Sequence, residues 1–355
     1  MTATWFRIAP RCSVAVLAGI LAAAVPVAAP AQVSDAAALT DRGLALAQGG
    51  QPQEAAKLWR QALEASPDYF PALFNLGYMH FSAGQFEQAA PLLARATAAN
   101  PDDFNAQYLR GVVAQKLEQG NEALRAWRNA LDLRPDHFKL MQIMAVEYGK
   151  GRYHREAAEI AGRALRLQPG IEDLHYMAIH ALREAGNLSE GLGLATQAAQ
   201  RFPNSARANF ELAWHLQKDG RFDEALPLIR RAMELDPSYE EPHFFYGDWL
   251  VKQARYADAL VPLQRAIELR ADYMPARIAV ARAHIGLKDW EAALDALDAA
   301  VELEPRHPQP HLLLSQVHFR LRDRAKAREE KELSLKLRRQ NPAFLEAVQS
   351  RPFPD

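Results

Sequence analysis

Cysteine is almost missing from this sequence: Cys12 is the single one in 355 residues. It lies in a leading stretch expected to be removed, so the mature chain is left without disulfides, thiolate metal sites or a cysteine nucleophile. Charge of one sign is lacking too. A net charge of −1, from 42 basic and 43 acidic residues, gives no overall field to draw nucleic acid. Valine, isoleucine and threonine are sparse beyond Pro30, while alanine and leucine abound; that bias favours helix over sheet. No glycine-rich phosphate loop, serine elbow or glutamate-containing paired-histidine helix occurs. These absences predict a chain that is not an enzyme and needs no cofactor.

Long apolar runs are likewise confined to one place. Arg7 and Arg11 precede an almost unbroken apolar stretch from Ser13 to Val25, and Ala29, Pro30 and Ala31 supply small residues before Gln32. A positive region, a short apolar core and a small-residue site make an export signal over residues 1–31. The run is shorter than the ~20 residues that span a bilayer. The expected location is therefore a bacterial periplasm or the extracellular medium. The alternative is an uncleaved N-terminal anchor, the one route to a membrane that the sequence offers. Cleavage takes the charge to about −3 by removing two arginines.

What is present is repetition. Ala62-Leu63-Glu64-Ala65-Ser66-Pro67 returns as Ala130-Leu131-Asp132-Leu133-Arg134-Pro135 and as Ala232-Met233-Glu234-Leu235-Asp236-Pro237. The closing prolines, Pro67, Pro101, Pro135, Pro169, Pro203 and Pro237, stand at one constant interval, and Pro305 follows at twice that interval, with Ala271 in the skipped place. Nine units follow, starting at 36, 70, 104, 138, 172, 206, 240, 274 and 308. Small residues recur at three places in the unit, as at Gly77, Ala89 and Ala96, and a large apolar residue at a fourth, as at Trp59, Leu93, Trp127, Ile229, Leu263 and Leu297. Small columns let two helices approach closely. Gly84, Gly120, Gly186 and Gly220 read as turns between the two helices of a unit, and each proline ends the second helix because it has no N–H to continue it. A coiled coil is excluded, since it needs heptads and no regular prolines.

Leu73, Leu76, Gly77, Ala89, Leu93, Ala96 and Pro101 together resemble the tetratricopeptide repeat, and the resemblance covers residues 36 to 341. It implies an all-α fold, a right-handed α-solenoid of antiparallel helix pairs, each unit contacting mainly its neighbours. Two units depart from the pattern. In the fifth, Ile179 occupies a small place and Gly191 an alanine place, and its first helix reads better one residue early, with Leu174, Met177 and Ala178 inward. In the ninth, Lys331 and Ser334 replace apolar residues, so 324–339 reads as a charged C-terminal capping helix, followed by a tail at 342–355.

The resemblance further implies that first helices line a concave groove. Carried over by phase, its lining includes Phe74, Tyr78, Phe81, Tyr108, Tyr176, Phe210, Trp214 and Phe244, with Lys116, Lys150, Lys218 and Lys252 near the helix ends. An aromatic ladder beside a lysine row suits an extended protein or peptide segment with apolar or acidic side chains. The same aromatics at a fixed helical phase are also what packing between neighbouring helices requires. A sugar chain is a further ligand that such a ladder suits, which would make the protein an accessory of envelope polysaccharide export or secretion. The family's clamp for chaperone C-terminal carboxylates needs lysine and asparagine where Phe74, Tyr78, Tyr108 and Val112 stand, so that use is not expected. Metal is not expected either. His307 and His311 are separated by Pro308 and Pro310 at a helix start, and His175, His243 and His311 recur two units apart. Glu240 and Glu241 read as a solvated pair in a turn.

Overall fold

The period of the sequence returns as a period of helices. A computed structural model describes residues 31–340. The expected export segment, apart from Ala31, and the tail from 342 lie outside those residues. First helices are α1 (Ala31–Gln48), α3 (Phe70–Ser82), α5 (Phe104–Lys116), α7 (Phe138–Lys150), α9 (Glu172–Glu184), α11 (Ala206–Lys218), α13 (Glu240–Lys252), α15 (Met274–Leu287) and α17 (Pro308–Arg320). Second helices are α2 (Pro52–Ala65), α4 (Phe86–Ala99), α6 (Gly120–Leu133), α8 (His154–Leu167), α10 (Leu188–Arg201), α12 (Phe222–Leu235), α14 (Tyr256–Leu269), α16 (Trp290–Leu303) and α18 (Arg324–Gln340). From α3 onward each first helix starts at the expected residue; α1 starts earlier, at Ala31. The described residues contain no strand. The fold is an all-α solenoid.

The chain divides into two compact units, one ending at Gly191 and the other starting at Leu192. The division falls inside α10, in the fifth repeat. Within each unit a first helix packs most extensively on its own second helix and then on the second helix before it, the nearest-neighbour pattern of a solenoid.

Each helix pair closes on a seam of unequal sizes. The first-helix places Gly43, Gly77, Gly111, Ala145, Ala213, Gly247 and Ala281 are buried, opposite Trp59, Leu93, Trp127, Ile229, Leu263 and Leu297 where these occur. A methyl group added at Gly111 would lie 2.2 Å from Trp127 Nε1, and one at Gly247 would lie 2.5 Å from Leu263 Cγ. The ring at Trp127 is also held by a hydrogen bond from Nε1 to the Tyr108 carbonyl at 3.2 Å, repeated by Trp59 on Thr40 at 3.2 Å. In the fifth repeat Ile179 stands at the small position and is fully buried, and Leu174, Met177 and Ala178 are buried as expected. The expected shift of that repeat by one residue is corrected: α9 starts at Glu172 and its turn residue is Gly186, both in the common phase.

The turn inside every repeat uses one backbone device. Residues 50, 84, 118, 152, 186, 220, 254, 288 and 322 all have positive φ; four are glycine and the others are Glu118, Arg152, Ala254, Lys288 and Arg322. The next N–H bonds back to the fifth carbonyl before it, as Gln85 to His80 at 2.9 Å and Arg255 to Leu250 at 2.9 Å. This is the Schellman ending of a helix. Gly120, read from sequence as such a turn, begins α6 instead; the left-handed residue of that repeat is Glu118. A side chain at positive φ costs ~1–2 kcal/mol, partly offset by the extra freedom glycine has when unfolded. Ala254→Gly is thus expected to stabilise the protein by about 0.5–1 kcal/mol, read as a higher denaturant midpoint with an unchanged slope.

A polar column accounts for two of the histidines, His243 and His311. Gln107, Asn209, His243, Arg277 and His311 each donate to the carbonyl six residues earlier, at 3.1, 3.0, 3.2, 2.9 and 3.0 Å. They tie the start of a first helix to the link before it. At the last repeat His311 also bonds Glu330 at 2.7 Å, and Ser334 donates to the Pro308 carbonyl at 2.7 Å. Of the two polar residues that set the ninth repeat apart, Ser334 thus fastens α18 to α17, together with Glu330, while Lys331 is exposed.

Candidate functional site

The first helices carry the residues expected to line a groove, and burial sorts them. Phe74 (5% exposed), Tyr176 (2%) and Phe210 (5%) are core residues; their expected place on a binding surface is corrected. Phe74 belongs to a cluster with Leu73, Ala89, Leu93, Ala106 and Leu109, so the next repeat covers it. Tyr78, Phe81, Tyr108, Trp214 and Phe244 are half-buried and keep one side on the surface.

In the N-terminal unit several aromatic contacts run along a helix. On α3, Phe70, Phe74, Tyr78 and Phe81 follow at ring separations of 5.9, 6.4 and 6.4 Å, because residues three and four apart share a helix face, and Phe86 at the start of α4 lies 6.1 Å from Phe81. On α5, Phe104 and Tyr108 stack at 5.9 Å, and His137 lies 5.0 Å and 6.3 Å from them. The Arg134 guanidinium stands 4.1 Å over the Phe104 ring, a favourable cation–π distance. Lys116 is exposed, and among the described residues it forms no ion pair. Lys150 lies 3.2 Å from Glu147, which also accepts a hydrogen bond from Gln115 at 2.9 Å.

The C-terminal unit is more densely aromatic. Phe210 meets Tyr239 and Phe245 edge-on at 5.3 and 5.0 Å, and Phe244 lies 5.0 Å from Tyr273. Lys218 sits 5.2 Å over Trp214, and Lys252 pairs with Asp248 at 2.6 Å. Two of the four lysines of the expected row, Lys150 and Lys252, are thus neutralised on their own helices, and in water such exposed pairs contribute little. The residues that cover the buried aromatics were missed in the sequence: His137, Tyr239 and Tyr273, each just before a first helix. They share one phase, and that recurrence was the available signal.

Glu240 and Glu241 are not a solvated turn pair. They open α13 mostly buried, and both face Arg270, at 3.2 and 3.5 Å; its guanidinium lies 3.4 Å over Tyr273. Burial, then the neighbouring Glu240 charge, push the Glu241 carboxyl up to about 7 against the pull of Arg270. The folded state therefore holds a proton that the unfolded chain releases near 4.5, so stability is lost as pH rises through about 7. Chemical denaturation is expected to show a lower midpoint at about pH 8 than at about pH 5, and Glu241→Gln is expected to reduce that difference.

Two clefts are lined by a first helix together with the second helices on either side of it. One of about 670 Å³ is formed where α4 and α6 flank α5. Its Arg110 donates to Thr97 at 2.8 Å and pairs with Glu122, which also meets Arg125 at 3.2 Å. A second, of about 260 Å³, repeats the arrangement at α14, α15 and α16. Among the described residues no group of three or more histidine, cysteine, aspartate or glutamate side chains is placed to hold an ion.

Sequence models of the tetratricopeptide repeat match residues 45–112 and 250–317, and 176–240 and 213–275, together more than half of the chain. The chain belongs to the tetratricopeptide-repeat family. No curated protein matches it. Among solved structures, it is similar to that of the APC/C hetero-tetramer Cut9-Hcn1, at 14% identity and TM-score 0.56 over 88% of this chain and 62% of that one. It is also similar to MamA, from residue 41 to its end, of Desulfovibrio magneticus RS-1 (20% identity, TM-score 0.43, 48% of this chain and 96% of that one). A third is YrrB, described as a TPR protein with an unusual peptide-binding site (23%, 0.42, 52% and 95%). The likeness to Cut9-Hcn1 is one of fold. Tetratricopeptide arrays of this kind are interaction scaffolds, which agrees with the paired helices and buried seams seen in both units.

Proposed function

We propose that the protein is a non-catalytic scaffold that holds an extended segment of a protein partner against its first helices, in a bacterial periplasm or outside the cell. The observation that carries this reading is the half-buried aromatic set on those helices. Tyr78, Phe81 and Tyr108 in one unit, and Trp214 and Phe244 in the other, keep part of each ring on the surface while neighbouring residues hold it. Rings fixed in this way lose little freedom on binding and suit anchor positions. Lys116, about two turns along α5 from Tyr108, and Lys218 over Trp214 add charge for acidic positions in the partner. Export is supported by Arg7, Arg11 and the apolar run to Val25.

The test is capture of partners from an envelope fraction with the mature chain and with a Tyr78→Ala, Tyr108→Ala variant of native melting temperature. Partners retained by the first and lost by the second are expected. Recovery of cytosolic proteins alone, or equal capture by both, contradicts the proposal. Binding to envelope polysaccharide in place of any protein favours the accessory role in glycan export.

A further inference from the structure

Among the described residues nothing covers one face of α18, and that face is strongly charged. Between residues 320 and 339 nine lysines and arginines stand against four acids, a local charge of +5 in a chain whose total is −1. Such asymmetry points to a polyanionic surface. One side of α18 is used up: Ala327, Ser334 and Leu337 are buried, and Glu330 is taken by His311. Arg324, Arg328, Lys331, Leu335 and Arg339 are all exposed. Their spacing places them on a single stripe flanking that buried side, about 22 Å long at helical rise. One exposed carboxylate, Glu332, borders the stripe, and among the described residues none of the stripe's cations forms an ion pair. Two apolar side chains accompany them: Leu335, 44% exposed within the stripe, and Phe319, 63% exposed at the end of α17.

We propose that this stripe docks the protein on an anionic phospholipid surface. A straight row of like charges meets a plane of headgroups at every position, and an apolar residue among the cations enters the boundary beneath them. No described helix is long and apolar enough to cross a bilayer, so the contact is peripheral and lies apart from the first-helix aromatics. Charge complementarity selects the lipid, and screening makes the association sensitive to salt.

Co-sedimentation of the full chain with vesicles of phosphatidylglycerol in phosphatidylcholine is expected to show binding that added salt weakens. Vesicles of phosphatidylcholine alone are expected to show none. Arg324→Gln, Arg328→Gln and Lys331→Gln together are expected to weaken binding roughly 100-fold with helicity and melting temperature unchanged, since all three side chains are exposed. Leu335→Gln is expected to weaken binding further, by an amount that salt does not change. Undiminished binding by the triple variant, equal binding to neutral vesicles, or no vesicle binding at all overturns the proposal. Binding to polyglutamate without binding to vesicles also overturns it, in favour of an acidic protein partner.

Discussion

Phe210→Ala is expected to cost about 3–5 kcal/mol of stability, while Trp214→Ala, one helical turn on, is expected to cost about 1 kcal/mol. Both residues stand on α11 at positions that sequence assigns to one binding surface. Their surroundings differ. Phe210 is enclosed by Tyr239 and Phe245, so its removal leaves a cavity that fixed rings cannot fill. Trp214 keeps part of its ring on the surface, and its removal opens a dent that water enters. Partner binding is expected to respond in the reverse sense, with Trp214→Ala losing at least ~2 kcal/mol, about 30-fold in affinity, if it is an anchor. Urea denaturation and a binding titration on the same two variants separate the roles. Equal stability losses would mean that burial does not distinguish them.

Gly111→Ala is expected to destabilise by about 1–3 kcal/mol, although alanine is the better helix former by ~1 kcal/mol. The added methyl meets Trp127 at 2.2 Å, and the indole cannot retreat without giving up its bond to the Tyr108 carbonyl. Trp127→Leu in the Gly111→Ala background is expected to recover part of the loss, since Ala281 and Leu297 already form that combination in another repeat. A double-mutant cycle reads the coupling. Strict additivity of the two changes would show that the seam is not a contact between these positions.

Much of the architecture was legible because the chain repeats one solution. The constant period, the small columns and the closing prolines each reflect a local rule, and nine copies in phase leave little room for another fold. The left-handed turn residue was less legible, since a repeat can place Glu118 or Ala254 where another has glycine and accept the strain. Exposure of the first-helix aromatics was not legible either. Whether Phe74 or Tyr78 faces outward depends on what the next repeat lays over it, and the covering residues Tyr239 and Tyr273 stand in links that sequence reading treats as turns. Glu240 and Glu241 were misread for the same reason. Their neighbour Arg270 arrives from the end of α14, almost a whole repeat later in the chain, and its presence turns a solvated pair into a mostly buried one.

Site-specific photocrosslinking in the native envelope addresses the central claim directly. A photoreactive residue placed in turn at Tyr78, Tyr108, Trp214 and Phe244, and at Glu64 and Arg231 on second helices, reports which face a partner occupies. Protein adducts from the first-helix positions, and none from Glu64 or Arg231, are the predicted result. Adducts confined to the second-helix positions would contradict it.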